Sequence, residues 1–330
     1  MNRNSDLPID EDYSKARDFF LRQQEGQSCP NLLTISTFFM FLLSAMGSFS
    51  ILRIIILFLV LITHEMGHYY SMKIFDYRNV HLIFIPFFGA AVTGTKPENL
   101  KPWKEIVVFM AGPSPGIFLS AILFAYLTRH PDPTIFAVAS LLGTINVLNL
   151  APIAPLDGGH IFRILVFSRF QRIELLFLLG SACFFVTLAF IDRSVLWALV
   201  GFLGLITTRN VYKVIVSAAN IQQKWQNRTP LSKSDLSEEQ IRDLYDESKT
   251  AGHKAKQQTQ SKLHGNFMKS TYAKLIEQKP STSVILAFLI LYFLFAIIGL
   301  GGLGYINYKM QKDSDFRKII ETKSDDWLHN

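Results

Sequence analysis

Long apolar runs alternate with polar stretches along this chain. A helix needs about 20 apolar residues to cross the ~30 Å hydrocarbon layer of a bilayer. We divide the first long run at Gly47–Arg53, because an unbroken helix of that length would greatly overshoot a membrane. The pattern therefore predicts six to seven transmembrane helices, from candidate spans near 32–50, 51–75, 106–128, 134–151, 173–191, 195–216 and 282–306.

One apolar segment has a different pattern. The stretch VHLIFIPFFGAAVTGT at residues 80–95 is rich in β-branched and aromatic residues and is interrupted by Pro86 and Gly89, which favours short strands over a helix. We expect a small membrane-embedded β-hairpin or a re-entrant segment here. The predicted fold class is an all-α polytopic membrane protein that carries this one β element.

Composition and charge support this class. Hydrophobic residues make up 49% of the 330 positions, and 28 are Phe, which exceeds the usual content of a soluble domain. The net charge of +7 comes from Lys and Arg in loops beside apolar runs, so we expect no nucleic-acid partner. Cys29 and Cys183 are too few and too far apart for a disulfide framework or a thiolate metal cluster.

The distribution of basic residues predicts the orientation. With a cytoplasmic N-terminus the outside loops between spans carry only Arg53, Arg129 and Arg193, and the basic loops all lie inside. Ser237 and Gln240 are spaced as the capping box of a linker helix. We predict a polar cytoplasmic segment at residues 1–31, a transmembrane core at 32–216 and a cytoplasmic linker with amphipathic helices at 217–280. A C-terminal transmembrane helix at 281–308 and a polar tail at 309–330 follow.

The second predicted span contains the motif HEMGH, with His64, Glu65 and His68. Histidines four residues apart project from one face of a helix, where they can supply two nitrogen ligands to Zn²⁺. The glutamate, left off the metal, can act as a general base toward water. Ionisable groups inside a membrane helix each cost about 2.5–3.5 kcal/mol, so a bound cation is a natural partner. The alternative is a buried polar network that fixes helix packing.

A catalytic zinc site needs a third protein ligand. Asp157 in NVLNLAPIAPLDGGHIF is the foremost candidate, because prolines interrupt the preceding helix and a restarting helix would place this carboxylate at its N-terminus. Broken helix at membrane depth is tolerated where it lines a wet cavity, which a hydrolase requires. His81, His130 and His160 are other candidates, and Asp157 can alternatively be the cap of a simple turn between two spans.

Together these motifs resemble the site-2 protease family of intramembrane zinc metalloproteases. HEMGH precedes NLAPIAPLDGG in the order that the family shows, and AGPSPG at Ala111–Gly116 is similar to the family's AGPxxN helix. The resemblance spans about residues 50–165. Gly116 stands where the family usually has Asn.

The resemblance implies roles for individual residues. His64, His68 and Asp157 are implied as ligands of a Zn²⁺ cofactor, and Glu65 as the catalytic base. Asn149 is implied to lie near the scissile peptide, where its amide can donate to a developing oxyanion. Its alternative role is to cap backbone groups freed by the nearby proline.

The expected function is that of a zinc-dependent intramembrane metalloendopeptidase. Its partners would be the lipid bilayer and a transmembrane protein or peptide, cut in or near its transmembrane segment for regulated intramembrane proteolysis or for clearance of signal-peptide remnants. We expect the hairpin to pair with an unwound substrate along residues 83–93; a packing plug is the alternative. Other functions left open are a prenyl-protein processing type of protease and a non-catalytic membrane adaptor that keeps a structural metal. The expected location is a bacterial cytoplasmic membrane, with the N-terminus in the cytoplasm.

Overall fold

The described part of the protein is mostly helical and contains one small two-stranded hairpin, which confirms the predicted fold class. The computed structural model describes residues 11–22, 34–40, 51–85, 89–226, 229–230, 232–251 and 257–328. Residues 34–40 are helical, and short 3₁₀ turns occupy Phe167–Arg169 and Lys233–Asp235. The other helices are α1 (Glu11–Leu21), α2 (Ile51–Ile74), α3 (Pro102–Ala111), α4 (Pro113–Leu127), α5 (Pro133–Asn149), α6 (Asp157–Leu165), α7 (Gln171–Asp192), α8 (Val195–Lys224), α9 (Glu238–Thr250), α10 (Gln257–Leu275), α11 (Thr282–Lys312) and α12 (Ser314–Leu328).

Within the described residues, four helices are long and apolar enough to cross a membrane, namely α2, α7, α8 and α11. They coincide with the spans predicted near 51–75, 173–191, 195–216 and 282–306. The chain is thus an integral membrane protein with several spans.

The span predicted near 106–128 is broken. Helices α3 and α4 meet at Gly112 with a bend of 41° and count as a fifth span if taken together. Pro113 begins α4 and has no N–H to donate back into α3, which explains the break. Helix α5, near the predicted 134–151 span, is apolar but shorter, with 17 residues. Most of the predicted 32–50 span lies outside the described residues.

The predicted β element is a two-stranded antiparallel hairpin of β1 (Arg78–Ile85) and β2 (Gly89–Thr95). Leu82 lies opposite Val92, and Phe84 lies opposite Ala90. The outer edge of β1 contacts the helical stretch 34–40. There Thr34 Oγ1 donates to the Leu82 carbonyl at 2.6 Å, and the Phe84 N–H donates to Thr37 Oγ1 at 3.3 Å. Side chains of this stretch therefore cover the β1 edge of the hairpin.

The chain divides into two compact units. The first comprises Met1–Glu25 and Gln171–Gln278, and the second comprises Gly26–Phe170 and Lys279–Asn330. The capping box predicted at Ser237 and Gln240 is present at the start of α9. The first unit has an apolar core that includes Tyr13, Phe20, Ile221, Leu244, Met268 and Tyr272. The predicted linker thus contributes to a packed core, and the predicted domain boundaries stay predictions.

Apolar packing in the second unit joins four helices around the loop between α5 and α6. Its buried members come from α3, α4, α6 and α11 as well as from the loop itself, and they include Ile106, Ile117, Leu150, Ile161, Tyr292 and Phe295. This cluster surrounds the segment that carries Asp157.

Candidate metal centre

Helix α2 carries three ionisable side chains into the interior of the second unit. His64, Glu65 and His68 are 4%, 6% and 7% exposed. The four-residue spacing places the two imidazoles on one face of the helix, with their Nε2 atoms 3.2 Å apart. A single helix therefore presents two potential nitrogen ligands side by side.

Both imidazoles are oriented through Nδ1. His68 Nδ1 lies 2.8 Å from the carbonyl oxygen of Val108 in α3, which can only accept. His64 Nδ1 lies 2.8 Å from Oδ1 of Asn146 in α5. The Asn146 amide nitrogen donates to the Leu142 carbonyl at 2.8 Å, which fixes the amide with Oδ1 toward His64. Each Nδ1 therefore carries a proton, and each ring directs its Nε2, the atom that is free to bind a metal in the neutral ring, at the other.

Asp157 completes the group from a different helix. Its Oδ2 atom lies 3.1 Å from His64 Nε2 and 3.3 Å from His68 Nε2. That oxygen is buried and has no hydrogen-bond partner of acceptable geometry in the described part of the chain. With both rings neutral, three acceptor atoms thus converge on one point. Such an arrangement is unfavourable unless a cation lies among them.

The spacing of these atoms fits zinc. Four tetrahedral ligands with bonds of about 2.0–2.1 Å lie about 3.3–3.4 Å from one another, close to the separations of 3.1, 3.2 and 3.3 Å found here. Among the described residues, His64, His68 and Asp157 form a group whose ligand atoms all lie within 4.8 Å of one another, close enough to share one ion. The site can therefore hold a metal ion through His64, His68 and Asp157.

The loop before α6 explains how Asp157 reaches the histidines. Helix α5 ends at Asn149, and Asp157 is the first residue of α6, as predicted. A Cβ on Gly158 would lie 2.1 Å from the Leu150 carbonyl oxygen, so only glycine permits the loop to pass this closely. The carboxylate consequently stands at a helix N-terminus, where the backbone dipole favours its ionised form.

Glu65 lies beside the two histidines but is not part of the three-residue group. The backbone N–H of Val92 in β2 lies near its carboxylate. This contact connects the hairpin to the residue predicted to be the general base.

Asn146 was not predicted from the sequence. It is fully buried in α5, and its contact with His64 makes it a supporting residue of the site. A Cβ on Gly116 would lie 1.9 Å from the Asn146 amide nitrogen. The glycine that departs from the family pattern is therefore required by the position of Asn146. The signal available in the sequence was a second asparagine, three residues before Asn149, in an otherwise apolar helix.

The other candidates from the sequence lie outside the group. Asn149 donates through Nδ2 to the Ile145 carbonyl at 3.0 Å, and its role near a scissile peptide stays a prediction. His160 stacks on Phe109 with ring centroids 4.6 Å apart. His81 lies in β1, and His130 stacks on a tyrosine of α4. Of the four carboxylate and histidine candidates for the third ligand, the structure brings Asp157 to the pair.

Comparison with known proteins supports the family predicted from these motifs. Residues 52–136 match the sequence model of peptidase family M50. The resemblance to the site-2 protease family is confirmed. The matched residues include HEMGH and AGPSPG but end before Asp157, so the ligand role of Asp157 stays a prediction.

Individual relatives cover part of the chain. It is 30% identical over 153 residues to stage IV sporulation protein FB of Bacillus subtilis, which is 44% of this chain and 52% of that protein. It is 24% identical over 125 residues to a zinc metalloprotease of Methanocaldococcus jannaschii, 36% of each chain. The chain thus spans about half, or less, of the length of these curated relatives.

A solved structure is also similar. It is the site-2 protease from Methanocaldococcus jannaschii, with 18% sequence identity, a TM-score of 0.39, and coverage of 54% of this chain and 86% of that one. A TM-score of this size does not establish a shared fold.

Proposed function

We propose that this protein is a zinc-dependent intramembrane endopeptidase that cuts a peptide bond in or near a transmembrane segment of another membrane protein. The observation that carries the proposal is the convergence of three acceptor atoms, from His64, His68 and Asp157, within 3.3 Å of one another. A bound cation would stabilise such a cluster of acceptor atoms. Membership of the matched residues in a peptidase family supports proteolysis as its use.

The proposed chemistry divides into roles for named residues. Zinc at this position would act as a Lewis acid on the scissile carbonyl and lower the pKa of a water molecule toward about 7. Glu65 would accept the proton of that water and pass it to the leaving amine. Asn149 would donate its amide to the developing oxyanion, which requires release of its hydrogen bond to Ile145.

The hairpin offers a place for an unwound substrate. Leu82 and Phe84 direct backbone groups to the outer edge of β1, where Thr34 and Thr37 bind them. In an antiparallel ladder their partners Ala90 and Val92 then direct backbone groups to the opposite edge, that of β2. A substrate strand added to that edge would lie beside Glu65, since the Val92 N–H already lies near this carboxylate.

Two variants at one position test strand addition. Val92→Pro removes the backbone donor, whereas Val92→Ala keeps it and shortens the side chain only. We expect cleavage by purified protein to fall at least about tenfold more in Val92→Pro, the equivalent of one backbone hydrogen bond of about 1.4 kcal/mol. Equal cleavage by the two variants would favour the packing plug.

The orientation follows from the loop charges. We place the N-terminus in the cytoplasm of a bacterial cell, with the protein in its cytoplasmic membrane and His64 toward the cytoplasmic side of α2. Cleavage there would release a cytoplasmic product in regulated proteolysis or remove signal-peptide remnants. Reporter fusions after residues 31 and 129 test this arrangement, because the first should report cytoplasm and the second the outer side.

The central experiment replaces Glu65 with Gln. Because Glu65 lies outside the three-residue ligand group, the variant should retain zinc and lose cleavage of single-span membrane proteins by about 100-fold or more. Glu98→Gln, an exposed glutamate of the same unit, is the control. Membrane proteomes of cells with either variant should differ by the accumulation of uncut substrates in Glu65→Gln. Cleavage at the normal rate by Glu65→Gln, or identical proteomes, would favour a non-catalytic adaptor with a structural metal.

A further inference from the structure

Helix α11 is far along the sequence from the residues that match the peptidase family, which end at residue 136. It nevertheless packs on the elements that carry the metal centre. Tyr292 and Phe295 belong to the same buried cluster as Leu150, in the loop before Asp157, and Ile161, in α6. Helix α11 therefore packs directly on the loop and the helix that carry Asp157, within the second unit.

Tyr292 makes the specific contact in this cluster. Its side chain is 4% exposed, and its ring meets Phe162 of α6 edge-on, with centroids 5.2 Å apart. Its hydroxyl donates a hydrogen bond to the carbonyl oxygen of Leu150. Leu150 is the residue that follows the last turn of α5, where carbonyl groups lack partners within the helix. Tyr292 supplies a partner for one of them.

The Leu150 carbonyl connects this hydrogen bond to Asp157. It lies so close to Gly158 that an added Cβ would be 2.1 Å away. Any shift of this carbonyl toward α6 would therefore move Gly158 and, with it, the adjacent Asp157. The position of the carboxylate depends on where the carbonyl is held.

The same residue is connected to His64. The Leu150 N–H bonds to the Asn146 carbonyl at 3.3 Å, and the Asn146 side chain accepts the His64 Nδ1 proton. Leu150 is thus connected to two ligands of the centre, to Asp157 through Gly158 and to His64 through Asn146. A second contact holds the start of α11, because Arg169, after α6, donates to the Pro280 carbonyl at 2.8 Å.

We infer that Tyr292 is a positioning residue of the metal centre, and that α11 is part of the metal-binding unit. Its hydroxyl fixes the Leu150 carbonyl, and this carbonyl fixes the start of α6 so that Asp157 meets the two imidazoles. The inference rests on the proposed function, because it concerns zinc bound at His64, His68 and Asp157.

The test removes the hydroxyl alone. Tyr292→Phe keeps the ring and its contact with Phe162 but leaves the buried Leu150 carbonyl without this donor. We expect zinc to leave the purified full-length protein about tenfold faster in the presence of a chelator, at the low end of the loss caused by changes to outer hydrogen-bond partners. Tyr305→Phe is the matched control, since Tyr305 lies on the same helix and is 50% exposed; it should release zinc like the wild type.

A packing variant separates positioning from stability. Phe295→Leu loosens the same cluster at a residue whose ring meets Phe118 edge-on and has no polar atom to bond to Leu150. It should lower the thermal unfolding midpoint without a matching increase in zinc release. The inference is overturned if Tyr292→Phe holds zinc like Tyr305→Phe, or if Phe295→Leu releases zinc as fast as Tyr292→Phe.

Failure of the proposed function has a different signature. Wild type that binds no zinc overturns both the function and the inference. Wild type that binds zinc, together with an active Glu65→Gln variant, contradicts the catalytic proposal. The rates of zinc release from Tyr292→Phe and Tyr305→Phe can still be compared in that case.

Discussion

Among the residues that the structure describes, each compact unit holds a buried cluster that joins histidine, carboxylate and neutral polar groups, and the two clusters differ in how donors meet acceptors. In the second unit, His64, His68 and Asp157 bring three acceptor atoms together. In the first unit, Asp12, Ser248 and His264 lie in the core between α1, α9 and α10, with Ser248 and His264 at most 1% exposed.

The cluster of the first unit pairs its groups. Tyr245 and Ser261 donate to the two carboxylate oxygens of Asp12 at 2.8 and 2.5 Å. Ser248 donates to the Tyr245 carbonyl at 2.6 Å, so its oxygen accepts from His264 Nδ1 at 2.8 Å. The carboxylate is thereby stabilised by donors of the protein itself.

The two clusters show how a packing network can be distinguished from a metal site. A histidine near a carboxylate is common to both clusters and decides nothing. The deciding feature is what faces the carboxylate, because Asp12 accepts from two hydroxyl groups whereas Oδ2 of Asp157 faces the Nε2 atoms of two imidazoles. The arrangement in the second unit therefore favours a bound cation, which the hydroxyl donors around Asp12 make unnecessary in the first unit.

The largest expected effect is from Asp157→Ala, which removes one of the converging acceptors. We expect zinc affinity to fall by more than about 100-fold, beyond the range seen for outer hydrogen-bond partners, and proteolysis to be lost. Metal content after dialysis measures the change. His264→Gln, in the other cluster, is the control and should retain the zinc bound at His64, His68 and Asp157. Equal loss of zinc in both variants would show that the two clusters do not differ in their role in metal binding.

A smaller effect is expected from Asn146→Ala, which removes the acceptor for His64 Nδ1. Loss of such a partner weakens metal binding by about 10–100-fold. Asn149→Ala, on the same helix, should leave zinc affinity unchanged because Asn149 bonds to a backbone carbonyl. Titration with a competing chelator distinguishes the two, and a stronger effect at Asn149 would reverse their assigned roles.

Gly116→Ala tests the space beside Asn146. The added methyl group would overlap the Asn146 amide, and overpacking of this kind costs about 1–3 kcal/mol. We expect weaker zinc binding by a few-fold and a lower thermal unfolding midpoint. Gly301→Ala is the matched control, since nothing lies within 4 Å of its added Cβ. If both variants keep wild-type zinc affinity, the packing of Gly116 on Asn146 does not support the site.

The smallest effect concerns the first unit at alkaline pH. Burial, with the hydrogen bond that its hydroxyl donates to Glu238 at 2.6 Å, raises the pKa of Tyr13 above its usual value of about 10. Its contribution to stability is complete below about pH 10 and is lost as the pH rises through the raised pKa. Tyr13→Phe should therefore be less sensitive to pH above 10, as measured by thermal unfolding. A parallel decline in both proteins would remove Tyr13 as the cause.

The sequence alone predicted much of the candidate site. HEMGH fixes two imidazoles on one face of α2 by helical geometry, so their convergence follows from spacing alone. The interruption of NLAPIAPLDGG by prolines correctly placed Asp157 at the start of α6. The hairpin was also predicted, because its β-branched residues and breakers differ from the helical runs.

Other features depend on tertiary contacts that one sequence does not encode locally. Asn146 and Asn149 are three residues apart, and the pattern does not tell which of them meets His64. The contact of Tyr292 with Leu150 joins residues 142 positions apart. The core of the first unit likewise brings α1 against α10, although most residues of both helices are polar.

The most direct test of the account is zinc K-edge X-ray absorption on the purified wild-type protein. We expect one zinc per chain with two imidazole nitrogens and carboxylate or solvent oxygens at about 2.0–2.2 Å, and loss of this signal in Asp157→Ala. Protein without zinc, a sulfur ligand at about 2.3 Å, or an unchanged spectrum in Asp157→Ala would contradict it.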